Sequence, residues 1–150
     1  MKKIRHTKNE KGQSLFEVFL SLMVVTVIIV ALVILASNAV RNTTYSRNKT
    51  LATRYSQEAI EWLRGERDAD WDLFYDYAIT SPYYCLQTLS WAIGECGTSA
   101  TISNTSLIRE VYFSDITQTQ ITIEVVVFWE DSQGVHETKT VTNLTDWRAQ

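Results

Sequence analysis

From Val18 to Ala36 the chain runs for 19 residues without a charged side chain, and no other feature restricts its fold so strongly. About 20 apolar residues rising ~1.5 Å each cross a hydrocarbon core about 30 Å thick. The stretch Val24-Val25-Thr26-Val27-Ile28-Ile29-Val30 favours strands by propensity alone. A lone strand in lipid would leave its backbone groups unpaired, so helix is the expected state. No glycine or proline interrupts the chain from Ser14 to Arg64, and Gly65 is the expected stop.

Past Ser37 the pattern becomes amphipathic. Leu51, Ala52, Tyr55, Ala59, Trp62 and Leu63 recur at three- and four-residue steps, with Arg47, Arg54, Glu58 and Glu61 on the other face. One side of this stem therefore requires something to pack against. The β region supplies it. Ile121, Ile123, Val125, Val127 and Trp129 alternate with Thr122, Glu124, Val126 and Phe128, which predicts a half-buried strand. Asp131-Ser132-Gln133-Gly134 predicts a hairpin turn into Val135–Leu144, and Leu107–Phe113 predicts the preceding strand. The expected fold class is α+β: a long amino-terminal helix, transmembrane and then amphipathic, packed on a small antiparallel sheet of three or four strands.

The formal net charge of −3 conceals an asymmetry. The leader Met1–Gly12 carries Lys2, Lys3, Arg5, Lys8 and Lys11 against Glu10, whereas from Asp68 onward 12 acidic residues face only Arg109, Lys139 and Arg148. An acidic head does not suit phosphate binding, so no nucleic-acid partner is expected. The cations Arg41, Arg47, Lys49 and Arg54 suit lipid headgroups or neighbouring subunits where a stem leaves a membrane. Cys85 and Cys96 both lie beyond the anchor and are expected to form a disulfide. A zinc half-site is the weaker reading, because His136 is the one histidine left to complete it outside the leader.

The junction Lys11-Gly12-Gln13-Ser14-Leu15-Phe16-Glu17 directly precedes the apolar run. It resembles the cleavage motif of type IV prepilins and pseudopilins, in which a glycine ends a basic leader and a glutamate follows five residues past the cut. The resemblance implies cleavage between Gly12 and Gln13 by a membrane-embedded prepilin peptidase, which also methylates Gln13. It assigns Glu17 to filament assembly, through pairing with the free amine of a neighbouring subunit. Gln13 stands where the family more often has an aromatic residue. Beyond the junction, Tyr84-Cys85-Leu86, Ser90-Trp91, Arg109-Glu110-Val111 and Val127-Phe128-Trp129-Glu130-Asp131, with Gly134 and His136, look like minor pilins or pseudopilins. Implied partners are the peptidase, other pilin or pseudopilin subunits, an inner-membrane assembly platform and membrane lipid. The implied location is the cytoplasmic membrane with the head outside the cytoplasm, then a surface filament or pseudopilus. Pili, type II secretion and DNA uptake share this plan, and fold does not choose among them.

The expected organisation is a leader over 1–12, a membrane or filament-core helix over 13–36 and a stem over 37–65. An aromatic-rich loop with the disulfide over 66–106 and a sheet over 107–150 complete it. Asp68, Asp70 and Asp72 have the first spacings of a calcium loop, but Leu73 stands where glycine is needed and Ile79 where the bidentate glutamate belongs. A solvated acidic turn is the better reading, and no metal or cofactor is expected. One distal histidine builds no nucleophilic triad, so catalysis is not expected. The rival is an ordinary secreted or anchored β domain, cut after Ser37-Asn38-Ala39 to leave Val40 first. Its apolar run exceeds the usual signal-peptide length of about 7–15 residues.

Overall fold

The computed structural model describes residues 11–148. Most of the basic leader, up to Glu10, lies outside the described residues, as do Ala149 and Gln150. Helix α1 spans Lys11–Ala69. The chain divides into two compact units, the first ending at Thr44 and the second beginning at Tyr45.

Among the described residues of the first unit, α1 stands without a partner layer. Its large hydrophobic side chains from Leu15 to Val40 are 51–75% exposed, over a stretch long enough to cross a hydrocarbon core. The hydroxyls inside the apolar run bond back along the helix, Ser21 to the Val18 carbonyl at 2.8 Å and Thr26 to that of Met23 at 2.8 Å. Such back-bonding removes polar groups that hydrocarbon would penalise.

In the second unit the α1 residues from Tyr45 onward bury Ala52, Ser56, Ala59, Ile60 and Leu63. The spacing is that of one helical face. Gly65, the expected stop, lies inside α1 instead. A glycine costs a helix interior about 1 kcal/mol relative to alanine, and its flanks offset that here. Leu63 is fully buried on one side, and on the other Glu66 accepts the Trp91 indole N–H at 2.9 Å. The helix ends at Ala69 because Asp70 turns extended (φ −154°, ψ 106°) and accepts the Leu73 amide, capping helix α2, Trp71–Thr80.

Segment 66–106 is therefore not a loop. It holds the end of α1, all of α2, and strands β1 (Tyr83–Cys85) and β2 (Ala92–Ile93). Helix α2 forms because Trp71, Phe74 and Ala78 share one buried face. Three longer strands follow: β3 (Ile108–Ser114), β4 (Gln120–Asp131) and β5 (Gly134–Thr145). The sheet has five strands rather than three or four, all antiparallel, in the order β2-β1-β3-β4-β5. At the β4–β5 turn the Asp131 carboxylate accepts the Gln133 amide at 2.7 Å, and Gly134 takes φ +117°, a backbone state that other residues enter only under strain.

One face of the sheet meets the stem. Val111, Phe113, Ile121, Ile123, Val125, Val127 and Trp129 join Ala59, Leu63 and Phe74 in a single core. Ser56 donates to Thr140 Oγ1 at 2.7 Å, tying α1 to the edge strand β5. Trp91, between β1 and β2, collects an aromatic cluster: it stacks on Tyr77 at 4.3 Å and meets Trp62 at 4.9 Å and Tyr84 at 5.1 Å. Aromatic pairs at such separations contribute about 0.5–1.5 kcal/mol each beyond their buried area.

Candidate functional site

Gly12 and Gln13 fall in the first turn of α1. Glu17 follows one turn later, exposed, at the head of the apolar run. This helix is long and apolar enough to cross a membrane, and its apolar run is not buried in protein among the described residues. A carboxylate there is costly in lipid, by about 2.5–3.5 kcal/mol near a helix centre and less near its end. A group tolerated at that cost calls for a positive partner.

The other candidates belong to the second unit. Cys85 and Cys96 form the expected disulfide, with Cα atoms 4.8 Å apart. The bond ties the segment after β2 to the end of β1, beside β3. The Cys96 amide donates to Glu110 Oε1 at 2.6 Å, and Cys96 Sγ lies 3.3 Å from the Arg109 carbonyl oxygen. Both thiols should therefore resist alkylation until a reductant is added. Cys85→Ser should cost the head about 2–3 kcal/mol by the loop-closure argument, read as thermal unfolding, while membrane insertion stays intact. Free labelling of both thiols under native conditions would refute the staple.

Asp68, Asp70 and Asp72 are not brought together as a ligand set. Asp70 caps α2. Asp68 accepts from Arg67 Nε at 2.9 Å and from the Trp147 indole at 3.1 Å. Those two bonds, the Trp147 one foremost, lower the Asp68 carboxyl below its ordinary range. Asp72 lies in the first turn of α2, where a negative charge suits the helix dipole. Among the described residues no three His, Cys, Asp or Glu side chains converge to hold a metal ion.

The residue that sequence reasoning missed is Arg109. Its neighbours Val111 and Phe113 mark the inner face of β3, and Arg109 shares that face, 2% exposed. Its Nε donates to the Leu86 carbonyl at 3.0 Å, and one terminal nitrogen donates to the Tyr55 carbonyl at 3.0 Å and to Glu58 Oε2 at 2.9 Å. Burial lowers its pKa, and Glu58 opposes that shift. One guanidinium thus ties stem, sheet and the start of the disulfide loop. Glu58, expected on the free face, lies at its border. The available signal was alternation: a cation two residues before Val111 and four before Phe113 points inward.

These observations define an α+β protein with a pilin-like fold, a long amino-terminal helix and a five-stranded antiparallel sheet stapled by one disulfide. Comparison with protein-family models, with curated proteins and with solved structures finds no match to the chain.

Proposed function

We propose that the chain is a structural subunit, a minor pilin or pseudopilin, of a type IV pilus-like filament. In this reading prepilin peptidase removes the leader after Gly12 and methylates Gln13. The subunit then enters the filament from the cytoplasmic membrane through its apolar helix, with other pilin or pseudopilin subunits and an assembly platform as partners. It performs no catalysis.

One observation carries the reading. A carboxylate, Glu17, sits at the head of a fully exposed apolar helix whose last turns become the spine of the folded head. An apolar helix left exposed among the described residues is suited to lipid or other helices around it. Glu17 needs an amine, and cleavage after Gly12 creates one. The continuity of α1 across Ser37-Asn38-Ala39 also favours this reading. The Ala39 carbonyl accepts the Thr43 hydroxyl at 2.8 Å inside the helix, an arrangement unlike the extended chain that a protease holds.

N-terminal mass spectrometry of the mature protein tests it. The expected product begins at methylated Gln13. A product beginning at Val40 would replace this reading with that of a secreted domain released from an ordinary signal sequence.

A further inference from the structure

We propose that the face of the sheet turned away from the stem is a docking surface for the cationic stem of a second copy of this chain. The inference rests on the filament-subunit reading in taking another copy as partner, but its evidence lies in the head alone.

Alternation along the strands puts Glu110, Val126 and Lys139 in one row across β3, β4 and β5, with Tyr112 and Glu124 in the row on one side and Phe128 and Glu137 in the row on the other. Together they line a shallow depression. Val126 forms its floor, only 8% exposed although it faces away from the stem. Two of the three carboxylates here share one ammonium: Lys139 Nζ lies 3.4 Å from Glu137 and 3.6 Å from Glu124. Glu110 has no cationic partner among the described residues. One of its oxygens accepts the Cys96 amide, and burial raises its carboxyl above the ordinary range. An acid-rich depression with an apolar floor and two aromatic walls suits a guanidinium or ammonium on an aliphatic stalk.

The same chain carries the matching surface. Between Tyr45 and Gln57, α1 bears Arg47, Lys49 and Arg54 and no acidic residue. All three are exposed, and none has a carboxylate within ion-pair distance among the described residues. Arg47 and Arg54 are two turns apart on the face opposite Ala52 and Ser56, about 10 Å from each other along the axis. Glu110 and Glu137 are two strands and one row apart, about 12 Å by ordinary sheet spacings. The spacings correspond.

A chain cannot make this contact with itself, because its stem packs on the opposite face of the same sheet. Two complementary patches on opposite sides of one body form a head-to-tail interface. Such an interface propagates instead of closing on a two-fold axis. Exposed charges of this kind govern register and encounter more than total affinity.

Cysteine cross-linking of the full-length chain in membranes tests the contact. Two differently tagged copies are co-expressed, one carrying Arg54→Cys and the other Glu137→Cys, and mild oxidation is followed by non-reducing electrophoresis. Copies with Val27→Cys report association of the apolar helices, and Arg54→Cys with wild type reports scrambling onto Cys85 or Cys96. The expected result is a mixed-tag dimer at least tenfold above the scrambling control. Cross-linking at Val27 without the 54–137 product, in parallel with failure of an Arg47→Cys/Glu110→Cys pair, overturns the docking surface and leaves the filament reading standing. Absence of every product overturns both. The 54–137 product without Val27 cross-linking upholds the docking surface and removes the helix-packed filament.

Discussion

The Glu17→Ala chain is expected to be cleaved and inserted like wild type, yet to be recovered from sheared filaments at about one tenth of the wild-type level or less. Insertion gains from the change, since a carboxylate no longer enters the apolar layer. On the filament-subunit reading assembly loses from it, because the amine of a neighbouring Gln13 would be left in a poorly solvated core without its counter-ion. Breaking a buried pair from one side costs about 3–5 kcal/mol, and 1.4 kcal/mol already corresponds to a factor of ten. Quantitative immunoblotting of sheared and membrane fractions separates the two effects. Equal recovery of variant and wild type in filaments would remove the assembly role of Glu17 and favour a subunit with no amine to meet.

The second large effect is expected at Arg109. Arg109→Ala should destabilise the head by about 3 kcal/mol, because it empties a buried site and strips the Leu86 carbonyl of a donor. At about 4–8 °C per kcal/mol for a domain of this size, the melting temperature should fall by about 12 °C or more. Glu58→Gln should cost no more than about 1 kcal/mol, since the Glu58 side chain is 51% exposed and its charge is screened by water. The contrast distinguishes a hydrogen-bonded tether from an ion pair. Thermal unfolding of the detergent-solubilised chain, followed by tryptophan fluorescence, measures both. An Arg109→Ala melt within about 3 °C of wild type would show that the tether does not hold the head together.

Much of this architecture was legible from residue order, for identifiable reasons. The apolar run announces α1 because lipid permits almost no alternative. Strand β4 follows from alternation, β5 from the turn before it and β3 as the strand preceding them, and all three lie within two residues of their expected bounds at every end. The disulfide follows from two cysteines beyond the anchor. Helix α2 was hidden by composition: Trp71, Phe74, Tyr75, Tyr77 and Thr80 have the preferences of strands or loops. Its signal was present in Asp70 at the cap and in the three- and four-residue steps from Trp71 to Ala78. Strands β1 and β2 are three and two residues long, too short for alternation to register. Gly65 misled because a stop signal depends on what its flanks pack against. The depression on the far face of the sheet was invisible until register aligned Glu110, Val126 and Lys139.

The tether and the Ser56–Thr140 bond also set the order in which the head can be completed. Everything that covers the stem's inner face is made after it. Arg109 comes 51 residues behind Glu58, and Thr140 comes 84 behind Ser56. Synthesis proceeds from the amino terminus, so α1 exists first, with Ala52, Ala59 and Leu63 uncovered. The β4–β5 hairpin closes locally, an event of about 1–10 μs. Its docking on the stem must await the final strand. The apolar side of the stem is thus bare until β3 and β4 are made, and Thr140 and Leu144 of β5 complete its cover.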